Sequence, residues 1–207
     1  PANYDWVLQP NLSGTKYAIV GPSIDLTNAD LSGADFTGKN VNNIDFTNAD
    51  FTDTKTYRLI FDSSPTLSAN YSTVVIDSSK AIIGPNVDLS GQNLSSMNLT
   101  SYTVTGINFT NADLSGVTLT GKSLSGTTLI GTKTNNITAE GSETMPTNYS
   151  LVSLNSGKYI IAGPSVNLYD TNLSGVTLTG ISLSGVTLDG ARTNNITAGG
   201  GETLPNA

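Results

Sequence analysis

The sequence contains neither cysteine nor histidine. Their absence removes disulfides, thiolate and imidazole metal ligands, the Cys-His and Ser-His nucleophile pairs and the commonest general base, and most enzyme chemistry goes with them. Charge is also scarce: Asp, Glu, Lys and Arg make up only 12% of 207 residues, with sixteen acids against nine bases and a net charge of -7. A chain so poor in Lys and Arg has little means of displacing counterions from a phosphate backbone, so nonspecific nucleic-acid binding is not expected. No apolar run approaches the roughly 18 residues that would span a bilayer, and no basic-then-apolar leader opens the chain, so a soluble chain without membrane insertion is expected. The missing thiols leave the redox compartment undetermined.

What the chain has in abundance is Ser, Thr, Asn and Gly, arranged periodically. From Ile24 it reads IDLTN ADLSG ADFTG KNVNN IDFTN ADFTD, a period of five. The large apolar residue of each unit falls at Leu26, Leu31, Phe36, Val41, Phe46 and Phe51 in a first block. It falls at Leu89, Leu94, Leu99, Val104, Phe109, Leu114, Leu119, Leu124 and Leu129 in a second, and at Leu168, Leu173, Leu178, Leu183 and Leu188 in a third. A smaller apolar residue often stands two positions earlier, as at Ala29, Ala34, Ile44 and Ala49. Five fits neither the helical 3.6 nor a long alternating strand, so each unit must be a short extended piece followed by a bend, and Gly, Asn and Ser stand where bends belong.

The pattern resembles the pentapeptide-repeat family, whose motif is A-(D/N)-L-x-x, over about half of the chain. The resemblance implies an all-β protein: a right-handed quadrilateral β-helix with one pentapeptide per side. The large residue and the one two before it would point inward, and coils would stabilise each other as neighbours do in a solenoid. The apolar residues named above, Leu26 to Phe51, Leu89 to Leu129 and Leu168 to Leu188, are then core.

A longer period surrounds the short one. Three segments, from Asn3, Asn70 and Asn148, each open on Asn-Tyr and close on Gly-Pro (Gly21-Pro22, Gly84-Pro85, Gly163-Pro164). Each reads as a β-hairpin, with a Ser/Gly/Asn turn ending in Lys16, Lys80 or Lys158. The segments after the blocks also match, GTKTNNITAEGSETMP from Gly131 and GARTNNITAGGGETLP from Gly190, and their composition predicts exposed linkers. The chain thus divides into three units of hairpin, pentapeptide block and linker, at 1-66, 67-144 and 145-203, with 204-207 beginning a further one. Because Pro1 starts inside the motif that Leu204 begins again, the chain is expected to be a piece of a longer array. Tyr4, Trp6, Tyr71 and Tyr149 are expected to pack the hairpins onto their coils.

Some signals imitate chemistry. Gly116-Val-Thr-Leu-Thr-Gly-Lys-Ser123 satisfies the phosphate-loop pattern GxxxxGKS, but its glycines are five apart because the repeat is five, and a phosphate loop needs a strand before it and a helix after it. Lys39 and Lys122 occupy inward positions, where an ammonium must snorkel out or meet an acid. Asp25, Asp30, Asp35, Asp45 and Asp50, with Asp88 and Asp113, precede the large apolar residue, so alternation points them outward as an acidic face. A solvated face is one reading; a surface spaced like duplex phosphates, as in pentapeptide-repeat proteins that mimic DNA and bind gyrase, is the other. No pair of carboxylates is marked as desolvated, and no catalytic residue, metal ligand or cofactor is expected. The compound of hairpin, Gly-Pro and pentapeptide block resembles arrays in large phage virion proteins, such as tail fibres and capsid decorations. This implies a non-catalytic spacer or display element of the virion, with other structural proteins or further copies as partners. The rival localisations are the bacterial cell surface and the cytoplasm.

Overall fold

The computed structural model describes residues 4–10 and 17–199; the first hairpin's turn with Lys16, and the further unit expected at 204-207, lie outside the described residues. The described residues are all-β. The strands are β1 (Asp5–Leu8), β2 (Tyr17–Val20), β3 (Ser72–Ile76), β4 (Ser79–Ile83), β5 (Ser150–Ser153) and β6 (Tyr159–Ala162), paired antiparallel as three hairpins. Ile76 faces Ser79, so β3 and β4 join through two residues, and Asp77 and Ser78 both have positive φ (46° and 63°). That is the type I′ geometry whose twist matches the flanking strands.

Between hairpins the backbone returns on itself every four pentapeptides. Parallel bridges join Asp25 to Asp45, Asp30 to Asp50, Asn93 to Asp113, Asn98 to Thr118 and Asn167 to Thr187, each pair twenty residues apart. Leu26 N–H donates to the Asp45 carbonyl (2.8 Å) and Asp45 N–H to the Ile24 carbonyl (3.2 Å), a rung repeated coil after coil. Corners arise locally. Ala29 N–H donates back to the Leu26 carbonyl (3.1 Å), enclosing Asn28 at φ 57°, and the same position is Gly33, Gly38, Asn43, Asn48 and Asp53, all at positive φ. Glycine and asparagine enter this left-handed region most readily, which is why they hold most of these corners, with Ser, Asp or Arg at others such as Ser96, Asp53 and Arg58.

Alternation on each short side puts the large residue and the one two before it inside. Sixteen of the eighteen Leu and Phe positions assigned to the core are buried; Leu26, in the first pentapeptide of its block, and Leu188, in the last of its block, are half-buried. Full burial of such side chains is worth about 1.5–3 kcal/mol apiece. Inward threonines are satisfied by carbonyls of adjoining coils, as where Thr54 Oγ1 donates to Leu31 (2.8 Å) and Thr132 Oγ1 to Phe109 (2.7 Å).

The segment from Gly131 is partly buried against expectation, while the described residues of the segment from Gly190 are exposed or half-exposed as expected. The segments after the first two blocks are built into the coils as their sides: Ile60 bridges Asn40, Thr66 bridges Asp45, Thr138 bridges Thr118 and Thr144 bridges Ser123. Thr134 and Glu143 are buried. The Glu143 carboxylate accepts from the backbone N–H groups of Glu140 (2.9 Å), Gly141 (2.8 Å) and Gly121 (3.2 Å). Composition suggested exposure; hydrogen bonding to a coil twenty residues back decided otherwise. The compact units also differ from the sequence repeats: one comprises Pro1–Leu89 with Tyr102–Asn108, the other Ser90–Ser101 with Phe109–Ala207.

Candidate functional site

The acidic positions were the strongest candidates for chemistry, and the structure gives each a local task. Oδ1 of Asp25 accepts from the Thr27 N–H (2.9 Å), that of Asp30 from Ser32 (3.0 Å), Asp35 from Thr37 (2.8 Å), Asp45 from Thr47 (2.9 Å) and Asp50 from Thr52 (2.9 Å). Each is a side-chain turn that turns the chain into the next corner. Where the sequence has Asn, as at Asn40, Asn93, Asn98, Asn167 and Asn172, the amide oxygen does the same at 2.9–3.1 Å. The hydrogen bonds explain the acidities. Backbone and side-chain hydrogen bonds from Thr27 lower the pKa of Asp25, and those from Ser32 lower that of Asp30. At Asp35 partial burial works to raise it, but the Thr37 hydrogen bonds and the charges of Lys55 and Lys39 prevail, so it too lies below its ordinary value.

Asp25, Asp30, Asp35 and Asp50 are exposed and Asp45 is half-exposed. Asp25 stacks on Asp45 and Asp30 on Asp50, but the rung above Asp45 is Thr66, and Asp35 stacks on Lys55. Asp113 has Lys133 on the next rung, with Nζ 3.4 Å from Oδ2. Asp88, read as outward, is buried, its backbone N–H held by the Thr54 carbonyl (2.8 Å) where block 2 begins. The inward lysines behave as charge requires: Lys39 pairs with Asp5 of β1, and Lys122 is half-exposed. Around Gly116 and Gly121 the chain makes ordinary coil corners at φ 71° and 69° with no helix following, so the phosphate-loop pattern has no helix N-terminus to offer.

Sequence reading missed the feature that recurs most faithfully. The tyrosine opening each hairpin donates its hydroxyl to the proline closing it: Tyr4 to Pro22 (3.1 Å), Tyr71 to Pro85 (3.1 Å) and Tyr149 to Pro164 (3.0 Å). In the second and third hairpins the ring lies on the glycine before that proline. A Cβ on Gly84 would meet Tyr71 Cδ1 at 2.3 Å, and one on Gly163 would meet Tyr149 Cδ1 at 2.4 Å. Asn-Tyr and Gly-Pro are two ends of one clasp, and their joint recurrence was its signal. Tyr71 also lies against Phe51, the rings tilted by 49° with centroids 5.2 Å apart, extending the row Phe36, Phe46, Phe51. Trp6 does not pack onto the coils as expected: it is 62% exposed, edge-on to Tyr17 at 6.2 Å.

A chain whose described residues are all-β and whose coils repeat every twenty residues, with carboxylates occupied at corners, belongs to the class of repeat solenoids. The family model of pentapeptide repeats matches residues 24–55, 106–135 and 166–192, eight copies in all, and the chain is a pentapeptide-repeat protein. Among solved structures it is similar to HetL, a pentapeptide-repeat protein involved in heterocyst differentiation regulation in the cyanobacterium Nostoc (18% identity, TM-score 0.32, 85% of each chain covered). It is also similar to the pentapeptide-repeat protein Rfr23 of the cyanobacterium Cyanothece (17%, TM-score 0.21, 84% of this chain and 90% of that one). A third is QnrB1, a plasmid-mediated fluoroquinolone resistance protein (16%, TM-score 0.20, 84% and 70%). No curated protein matches the chain in sequence. No helix among the described residues is long and apolar enough to cross a membrane, and these residues hold no His/Cys/Asp/Glu group suited to a metal ion.

Proposed function

We propose that this protein is a non-catalytic structural and interaction element, a modular spacer or display surface in a phage virion, as a fibre or capsid-surface decoration. Its coils wind as a right-handed quadrilateral β-helix. The twenty-residue parallel return supports four sides per coil, and parallel crossover connections are right-handed in about 98% of cases. The units 1-66, 67-144 and 145-203 are the modules of growth. The observation that carries the reading is that the chain inserts a clasped hairpin into its coils and resumes them with the same contacts: Lys55 bridges Asp88 across the second hairpin, and Lys133 bridges Asn167 across the third. An array that resumes its ladder after each insertion lengthens without a redesigned core. Its partners are other structural proteins of a large assembly.

The rival, an acidic DNA mimic that binds gyrase, requires a free and continuous acidic row; here the row of Asp25 and Asp45 meets Thr66 after two acids and the row of Asp35 meets Lys55 after one. Sedimentation of the native source lysate, with peptide mass spectrometry of the particle and soluble fractions, tests the reading. Peptides of this chain are expected in the particle fraction. Recovery only in the soluble fraction overturns the virion role, and co-purification with gyrase from that fraction would establish the rival.

A further inference from the structure

Each of the first two blocks runs into a coil side that is one residue too long. Asn40 bridges Ile60 and Thr118 bridges Thr138, twenty residues on, but Asp45 bridges Thr66 and Ser123 bridges Thr144, twenty-one on. The extra residue takes the backbone out of register at the corner between those rungs. At the regular corner before it, Gly116 N–H donates to the Asn135 carbonyl of the next coil (2.8 Å). At the irregular one, Gly121 N–H meets a side chain in place of a carbonyl, the carboxylate of Glu143 (3.2 Å to Oε1).

Two successive N–H groups of the long side converge on the same carboxylate. Glu140 N–H donates to Oε1 of Glu143 (2.9 Å) and Gly141 N–H to Oε2 (2.8 Å). Counted back from the Asn-Tyr of the following hairpin, the corresponding residues of the first block are Asp62 and Ser63. Their N–H groups converge too, on a single oxygen, Asn42 Oδ1 (2.6 and 3.0 Å). Successive backbone N–H groups arranged in this way make an anion-binding concavity. The two blocks fill it from different places in the chain: an amide oxygen of the preceding coil in the first, a carboxylate further along the same segment in the second. What persists is the demand for an oxygen at that point, whichever residue brings it.

The second concavity lies at the surface. Glu143 is buried, but Gly121, Glu140, Gly141 and Ser142 around it are exposed. Burial works to raise the Glu143 pKa, yet the three N–H groups prevail and hold it below its ordinary value, so the group they face at neutral pH is an ionised carboxylate.

We propose that this concavity is a carboxylate-binding site and that Glu143 is its tethered ligand, which holds the irregular side shut and closes the site to other carboxylates. With the Glu143 carboxylate removed, the N–H groups of Gly121, Glu140 and Gly141 take a free carboxylate in its place. This inference stands independently of the virion reading.

Formate is the probe, with chloride at equal ionic strength as the control, and the protein is the 207-residue chain. In proton–nitrogen correlation spectra of Glu143→Ala, formate is expected to shift the amides of Gly121, Glu140 and Gly141 saturably, while the same titration leaves those of the wild type in place. The Glu140 and Gly141 amides are expected to exchange with solvent at least about tenfold faster in Glu143→Ala than in the wild type, since each loses a hydrogen bond to a charged acceptor, and to slow again in formate. If Glu143→Ala does not fold in chloride, formate is expected to restore its fold by mass action. A variant whose three amides are indifferent to formate, one that stays unfolded in it, or a wild type that responds to formate as strongly as the variant would each overturn the proposal.

Discussion

The coils of the first block and those of the third build the same corner from different acceptors. Asp25, Asp30, Asp35, Asp45 and Asp50 hold the corners of the first; Asn167 and Asn172 hold those of the third. The cores differ as well: Phe36, Phe46 and Phe51 form an aromatic row in the first, while Leu168, Leu173, Leu178 and Leu183 fill the third. What the fold demands is therefore an acceptor two residues before a corner N–H and an apolar volume inside. Charge and aromaticity are options laid over that demand. The acidity of the first block, which suggested a recognition surface, is in large part the corner chemistry written with Asp in place of Asn.

The core difference should give the largest effect. Phe46 is buried, with Phe36 at 5.8 Å and Phe51 at 5.2 Å, so Phe46→Ala is expected to lower stability by about 3–5 kcal/mol. Leu173→Ala is expected to cost about 2–5 kcal/mol. Because stability in a solenoid is carried by neighbouring coils, hydrogen exchange should show the loss concentrated in the compact unit that holds the substitution.

Glycines separate clasp from corner. A Cβ at Gly84 strikes the Tyr71 ring, and Gly84→Ala is expected to cost about 1–3 kcal/mol and to displace that ring from Phe51. At Gly121 (φ 69°) a Cβ meets nothing within 4 Å, so Gly121→Ala carries only the left-handed backbone penalty of about 1–2 kcal/mol. Thermal melts of both variants, with near-ultraviolet circular dichroism to follow Tyr71, check the distinction: only Gly84→Ala should alter the aromatic signal.

A smaller effect isolates charge from hydrogen bonding. Asp35→Asn keeps the acceptor for Thr37 and should leave the melting midpoint near that of the wild type, whereas Asp35→Ala should lower it. Equal losses in the two variants would mean that the charge of Asp35 near Lys55 and Lys39, and not its corner hydrogen bond, is what it supplies. The smallest effect is in pH. The folded pKa values of Asp25, Asp30 and Asp35 lie below their ordinary value, so their stabilisation is fully present above the unfolded pKa of about 3.9 and is lost as pH falls through the folded values. Amides of the first block should therefore lose protection in acid before those around Asn167 and Asn172, whose caps do not titrate. Hydrogen exchange over a pH series measures this after correction for intrinsic rates.

Much of this was legible from one line of sequence. The period of five, the left-handed corner at Asn28 or Gly33, and the inward positions of Leu31 or Phe36 all depend on residues within five of each other and on the alternation of a short extended piece, so the text alone determines them. The fate of Thr134 and Glu143 was not legible, because a polar, glycine-containing stretch has the same composition whether it hangs in water or closes a coil. Nor was the clasp of Tyr71 on Gly84 or the burial of Asp88. Each depends on partners more than ten residues away, and such partners are chosen by how the backbone returns on itself. Local chemistry fixed the corner and the side; only the tertiary structure decided which sides meet, because burial and hydrogen bonding across coils belong to pairs of segments and to neither segment alone.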